Sequence, residues 1–439
     1  MLYKIIKWIV RLTLNSYFRK MVITGNQHVP SKGPVIFVAN HPSAFMDPMV
    51  VAFAIDLPLH FLAAAEFFGN GFKAWFYLNF LNMIPVYRPT TLPGESHKNE
   101  AIFVKCIELL SRGGAILVFP EGNSVTEKRI RKLKTGVARM VLGTRGKVQV
   151  DVIPVGLNYT NPHRFRSDLY VNIGKPISTQ GSSTDKTEVA RLTNLIEEGL
   201  KDTVHHIQNE ELDSVVKKVE LLLKQNFQST NNIKEVEFTF QQKVIKAIQR
   251  ISESNPNLVS NLDCKLNGYL NKIRELGISD GAIANLSILI SLGELIRLIL
   301  AFPIFVVGLA INSAPYYSTV FYFRRLNLFS NDEKPMPGSF ANPAFKGSVA
   351  LAIGMVLFII FYLSLAGFSI WATENFWVGA GLLVLSYLTG LFAMQYIRWV
   401  YLFRQKWRLR KLISEKKEVF ASLIIERQEI IKELTAVTN

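Results

Sequence analysis

A chain of 439 residues, 49% of them hydrophobic and with 30 phenylalanines, is long enough for two or three domains of ~100–200 residues each. It is too polar for a transporter built wholly of membrane helices. The formal charge of +16 fits nucleic acid or an anionic membrane surface. The sequence has no zinc-finger spacing, RNA-binding aromatic block or isolated basic recognition helix, and its basic residues crowd beside apolar runs, as in Arg404 to Lys411; this sets nucleic acid aside in favour of a membrane. The two cysteines, Cys106 and Cys264, are far apart, which supports neither a disulfide framework nor a metal site.

The chain opens with MLYKIIKWIVRLTLNSYFRK, broken by Lys4, Lys7 and Arg11 and without a small-residue cleavage site, so it is a poor secretory signal. Its apolar residues and basic flank predict an interfacial helix over 1–25, with packing on the following domain as the equal alternative. The run VIFVANHPSAFMDP from Val35 to Pro48 then places His41 and Asp47 just after a β-rich segment. In such a pair the histidine can take a proton from a hydroxyl while the carboxylate fixes its tautomer and stabilises the imidazolium. Ser43 invites a covalent reading, but no G-x-S-x-G elbow surrounds it.

Short apolar runs at Val35–Asn40, Ala115–Phe119, Val150–Leu157 and Leu169–Ile173 alternate with helical patterns such as Asn99–Leu110. That predicts an α/β fold over 26–180, a mainly parallel sheet flanked by helices, with site residues at strand ends. Cys106 falls in the helical pattern AIFVKCIELL and is read as packing. Three more segments follow His41 and Asp47 in order: MIPVYRP with Arg88, VFPEGNS with Glu121 and Gly122, and VIPVGLNY with Pro154.

With NHPSAFMDP, these segments resemble the four ordered blocks of the glycerolipid acyltransferase family over roughly residues 25–180. GVAR and GKPI downstream strengthen the match. The resemblance implies the acyltransferase fold, and transfer of a fatty acyl group from acyl-CoA or acyl-carrier protein, without a cofactor, to a glycerol-phosphate hydroxyl. His41 and Asp47 would be catalytic, Arg88 the acceptor-phosphate ligand, and Glu121 an acceptor-binding carboxylate whose alternative role is capping the next element. Gly122 would bring backbone N–H groups near an anionic oxygen, Lys134 and Arg139 would serve phosphate or CoA, and Pro154 would shape the acyl side, with strand-edge packing as its plainer role. Two departures stand out. Five residues separate His41 from Asp47 where the family usually has four, as in a subset of bacterial and fungal relatives, and Asn123 stands where the family usually has threonine followed by arginine. The phosphate contact assigned to that arginine is therefore not carried over.

Residues 181–290 turn polar, with helical spacing and a break at Ser252–Asn257 around Pro256, and read as an added helical region. His205 and His206 are adjacent, so on a helix they face apart, which argues against a metal. Uncharged stretches at 298–323, 347–373 and 375–397 are each long enough to span a bilayer at ~20 residues, giving a membrane region over 291–403. The last two form an expected hairpin. The first, interrupted by Pro303, Asn312 and Pro315, is expected to be re-entrant or interfacial, or else a third span. Basic residues Arg324, Arg325, Lys334 and Lys346 and the 404–439 tail put those segments, and the catalytic domain with them, on the cytosolic side.

The expected function is a membrane-associated O-acyltransferase of phospholipid synthesis with lysophosphatidate as first acceptor. Glycerol 3-phosphate or dihydroxyacetone phosphate follows, and an inactive membrane scaffold is the alternative of another class. The expected partners are membrane lipids and the acyl donor, with no nucleic acid.

Overall fold

The computed structural model describes residues 2–179, 185–207, 209, 211–226, 233–285, 291–325 and 344–436. The chain divides into two compact units, one of Met1–His206 with Phe323–Ile353 and the other of Ile207–Tyr322 with Gly354–Asn439.

The first unit is built on seven strands: β1 (Lys20–Thr24), β2 (Val35–Ala39), β3 (Leu59–Ala64), β4 (Met83–Val86), β5 (Ala115–Val118), β6 (Asp151–Tyr159) and β7 (Asp168–Ile173). Their order is β1-β7-β6-β2-β5-β3-β4. Every neighbouring pair is parallel except β6 with β7. The helices are α1 (Leu2–Tyr17), α2 (Met46–Ala54), α3 (Phe72–Asn79), α4 (Asn99–Ser111), α5 (Gly136–Gly143) and α6 (Lys186–Thr203).

A parallel sheet covered on both faces needs strands that are apolar at every position, because successive side chains point to opposite faces. β2 shows the division. Val35, Phe37 and Ala39 join Leu117, Ile153, Val155 and Leu157 in a core with Leu14 of α1 and Met46 and Val50 of α2. Ile36 and Val38 join Ile116, Val118 and Val152 under Leu110 of α4, Met140 of α5 and Leu192, Ile196 and Leu200 of α6. Cys106 belongs to that second core, and burial pushes its thiol up to about 11, as a packing residue requires.

Two boundaries move. The expected helix over 1–25 ends at Tyr17, and Lys20–Thr24 become the edge strand β1, held parallel to β7. In α1, Leu14 is fully buried while Ile5 and Trp8 are exposed. The domain expected to close at 180 continues through α6, because the apolar stripe of that helix covers one face of the sheet.

The second unit contains α7 (Leu212–Asn226), α8 (Ile233–Ser254), α9 (Pro256–Glu275), α10 (Asp280–Asn285), α11 (Leu292–Arg325), α13 (Phe376–Glu415) and α14 (Lys417–Ala436). α12 (Phe345–Thr373) begins in the first unit and continues in the second. The expected break falls between Ser254 and Pro256, with proline opening α9 where its missing N–H costs nothing. α11, α12 and α13 are each long and apolar enough to cross a membrane. The expected interruptions in 298–323 do not appear as gaps; α11 runs through Pro303 and Pro315. Lys334 lies outside the described residues.

Gly156 of β6 tests the α6 contact, since a Cβ there would lie 1.9 Å from Thr203 O. Gly156→Ala is expected to destabilise the first unit by ~1–3 kcal/mol. Thermal unfolding in detergent reads this as a lower Tm, and an unchanged Tm would refute the packing of α6 on the sheet.

Candidate active site

β2 lies between β6 and β5 in the sheet, and the loop leaving its C-terminal end carries His41 to the crevice side, where open α/β sheets bind ligands. Asn40 pins the loop's start by a two-way bond with β6: its Nδ2 donates to Leu157 O at 3.0 Å and its Oδ1 accepts from Leu157 N–H at 2.7 Å. Asp47 sits in the first turn of α2. The extra residue between them is taken up by a turn with Ala44 at φ 44, an uncommon conformation for a residue with a Cβ. His41 Nδ1 still meets Asp47 Oδ2 at 2.8 Å.

Asp47 is fully buried, so its carboxylate must be satisfied by the protein. Oδ2 also accepts from Ser43 N–H at 2.8 Å, and Oδ1 accepts from Tyr159 O–H at 2.7 Å. Burial, then the Asp47 charge, holds the Tyr159 phenol well above its usual range, keeping it a donor. Phe119 stacks on the His41 ring with centroids 4.1 Å apart and planes 16° from parallel. With Nδ1–H donated to Asp47, Nε2 keeps its lone pair, and it has no hydrogen-bond partner among the described residues. Such a ring is set up to accept a proton.

The VFPEGNS segment folds against this loop. Ser124 Oγ donates to His41 O and accepts from Ala44 N–H, both at 2.8 Å. Glu121 Oε1 accepts from His41 N–H at 3.3 Å, while Oε2 meets Arg131 Nε at 3.2 Å. Burial raises the Glu121 pKa and the Arg131 charge opposes the rise. Both Glu121 oxygens therefore have protein partners, and its observed place is beneath His41 rather than in open contact with an acceptor. Gly122, at φ 77, donates its N–H to Phe119 O at 3.1 Å, so that N–H closes a turn instead of facing an anionic oxygen. Its lack of a side chain makes room for Lys134, whose Nζ would lie 2.6 Å from a Cβ there.

Arg88, just beyond β4, reaches the same segment, with Nη1 3.4 Å from Asn123 Oδ1 and 3.6 Å from Glu66 Oε1. Burial lowers the pKa of Arg88; burial, then repulsion from Arg88, lowers that of Lys134. A partly buried guanidinium and an exposed ammonium near it form a site where an anion is stabilised. Both Glu66 carboxylate oxygens are buried without a hydrogen-bond partner, which leaves acceptors beside the guanidinium. Arg131 adds a second guanidinium, its Nη2 donating to Asn123 O at 2.7 Å.

Arg139 and Pro154 stand apart. The Arg139 guanidinium lies over the Phe103 ring of α4 at 5.1 Å. Pro154 pairs with Val38 in the middle of the sheet, not at an edge, and its ring packs toward Gly174 and Gly199, on the α6 face. Sequence reasoning missed Tyr159, Ser124, Arg131, Glu66 and Phe119 as site residues. Tyr159 and Phe119 lie inside or beside the quoted blocks, but only the tertiary fold brings them to His41.

Replacing the tyrosine by Tyr159→Phe leaves Asp47 Oδ1 buried without its donor and is expected to cost ~1–3 kcal/mol of stability. Thermal or denaturant unfolding measures it; a variant as stable as the parent would show that this bond does not hold Asp47.

Residues 20–158 match the model of the family described as Acyltransferase. The glycerol-3-phosphate O-acyltransferase 1 of Saccharomyces cerevisiae is 24% identical over 320 residues, covering 52% of this chain and 42% of its own length. The 1-acyl-sn-glycerol-3-phosphate acyltransferase of Borreliella burgdorferi is 25% identical over 205 residues, covering 46% of this chain and 73% of its own. The crystal structure of the 1-acyl-sn-glycerophosphate acyltransferase of Thermotoga maritima aligns with 46% of this chain and 78% of that one, at 20% identity and a TM-score of 0.36. The chain thus spans less than half the length of the yeast relative. The matched segment contains His41, Asp47, Arg88 and the FPEG turn, and over it the chain is similar to glycerolipid acyltransferases.

Proposed function

We propose that the protein is a membrane-bound enzyme that moves a fatty acyl group from an acyl thioester, acyl-CoA or acyl-carrier protein, to the hydroxyl of a glycerol phosphate, with lysophosphatidate as its first acceptor. The observation that carries this reading is the placing of a base supported by a buried carboxylate, 2.8 Å apart, on the same loop system as Arg88 and Lys134. A proton acceptor beside a pair of cations suits an alcohol that carries a phosphate.

In this mechanism His41 Nε2 takes the hydroxyl proton as the oxygen attacks the thioester carbonyl. The new C–O bond forms, the C–S bond breaks, and the departing thiolate takes the proton from the imidazolium. Asp47 keeps the ring oriented and stabilises its charge while the proton is on Nε2. Arg88, with Lys134, holds the phosphate, and the unbonded Glu66 oxygens can accept from glycerol hydroxyls. Lysophosphatidate fits a chain with three long apolar helices, where acceptor and product both live in the bilayer. Glycerol 3-phosphate is the second reading, favoured by the name of the yeast relative. The basic residues flanking the apolar segments support a cytosolic catalytic domain.

The test offers labelled acyl-CoA and acyl-carrier protein with lysophosphatidate, glycerol 3-phosphate and monoacylglycerol in liposomes, and identifies products by mass. Phosphatidate is expected, with His41→Ala slower by ~10²–10⁴. Arg88→Ala should raise the KM for phosphate-bearing acceptors ~10–100-fold and leave any monoacylglycerol turnover unchanged. No transfer to any acceptor would instead leave the scaffold reading standing.

The pH profile gives a separate check. Because Arg131 counters the burial that raises Glu121, Arg131→Met should push that carboxyl further up. Glu121 must be ionised to accept from His41 N–H and Arg131, so the acid limb of kcat/KM should move to higher pH and the alkaline limb stay. An unmoved acid limb would show that Glu121 ionisation does not support the base.

A further inference from the structure

We infer that α11 is a re-entrant membrane element, entering and leaving one leaflet from the same side, and that only α12 and α13 cross the bilayer. The first argument is one of parity. The start of α11 is bound to the charged end of α13: Glu294 pairs with Lys406 at 2.7 Å, Arg297 lies 4.5 Å over the Trp399 ring, and Tyr396 O–H donates to Leu298 O at 3.1 Å. The residues before and after continue the contact, with Gln405 Oε1 accepting from Ser279 N–H at 2.7 Å and Arg427 paired to Asp280 at 2.7 Å. The chain therefore enters the apolar region and leaves it on one side, so it makes an even number of crossings.

α12 and α13 are joined through Glu374 and Asn375 alone, so they cross together or not at all. The sequence 326–343 carries Asp332, Glu333, Lys334 and three prolines and lacks the apolar run of ~20 residues that a spanning helix needs. α11 cannot then make a single crossing.

The second argument is depth, read along the hairpin from its turn at ~1.5 Å per helical residue. Leu298 is level with Tyr396, ~30 Å from the turn and so at the surface from which the hairpin enters. Asn312 donates to Ser386 O at 3.3 Å and accepts from Tyr362 O–H at 2.5 Å, both ~15 Å from the turn and near the bilayer centre. Thr319 is back at Gly354, where a Cβ would lie 3.5 Å from its Cγ2, again ~30 Å from the turn. The path goes down along α13, is deepest near Asn312, and returns along α12.

The deepest part is built for that position. Pro303 and Pro315 lie on either side of Asn312 inside the helix and remove backbone hydrogen bonds where bending is required. Asn312 Nδ2 also donates to Gly308 O at 2.8 Å, and Thr319 Oγ1 to Pro315 O at 2.7 Å, partnering carbonyls that water cannot reach. Gly308 lets α11 approach α13 closely, since a Cβ there would lie 2.3 Å from Thr389 O. The exposed Ile299, Leu300, Phe302, Val307 and Leu309 then face the acyl chains of a single leaflet. Charge agrees independently: Arg324 and Arg325 end α11 on the side of the 404–411 basic cluster, and the far turn holds only Glu374.

The test uses the full chain in a bacterial inner membrane, with Cys106→Ala and Cys264→Ser as background. Arg325→Cys, Glu374→Cys and Lys416→Cys, all at exposed positions, are probed with a membrane-impermeant maleimide on spheroplasts and after lysis. Labelling of Glu374→Cys in intact spheroplasts, with Arg325→Cys and Lys416→Cys reacting only after lysis, is the expected result. Arg325→Cys reacting from outside together with Glu374→Cys, or Glu374→Cys and Lys416→Cys reacting from one side, would overturn it. Retained acyl transfer in each variant checks that the labelled protein is folded.

Discussion

The Asp47 carboxylate is the constraint on which the site depends. A charge removed from water is tolerated only if the protein supplies what water would have. Here three donors converge on it: the His41 ring, the Ser43 amide and the Tyr159 phenol. Each comes from a different structural source: the loop after β2, the turn into α2 and the end of β6. The carboxylate thereby fixes the approach of the loop to the sheet as well as the tautomer of the base. A smaller set of donors would leave the charge costly and the ring free to turn, so folding and the orientation of the ring rest on the same few bonds.

The extra residue between His41 and Asp47 and the unusual FPEGNS segment have one physical explanation. A sixth step from His41 to Asp47 forces a turn, and Ala44 adopts a left-handed conformation to make it. That turn exposes one carbonyl and one amide to a buried environment. Ser124 satisfies both with a single hydroxyl, donating to His41 O and accepting from Ala44 N–H. An arginine side chain could not do both, having no acceptor. The guanidinium is instead supplied by Arg131, seven residues further along, which reaches back to Asn123 O and Glu121. Two departures that look independent in the sequence thus compensate each other in space.

Much of the sheet could be read directly because both of its faces are covered. Runs such as VIFVA and AILV carry no alternation, and their apolar continuity marked them as central strands. β1, β3 and β4 were missed for the complementary reason. They lie at or near the sheet edges, are only partly buried, and LHFLAA and KMVIT mix apolar with polar or small residues. His41, Asp47 and Arg88 could be singled out because the pattern that marks them is local to short segments. For Glu121 and Gly122, the sequence does not show that the carboxylate's oxygens and the glycine's N–H are already bound within the protein. Tyr159 and Arg131 had no local signal: one is an ordinary tyrosine at a strand end, the other one basic residue among several.

The membrane region shows a limit of a different kind. Length and hydropathy describe each helix separately and make three equivalent candidates of α11, α12 and α13. Whether a helix crosses is a property of where its two ends lie, and that is decided by contacts between residues over a hundred positions apart, such as Glu294 with Lys406 and Asp280 with Arg427. Polar residues in an apolar helix are costly unless partnered, so Asn312 alone already hinted at a neighbour. What the sequence lacked was the neighbour's identity. Once Tyr362 and Ser386 supply it, the asparagine marks the deepest point of a helix that turns back. A chain organised this way keeps the charged ends of α11 and α13 at one surface.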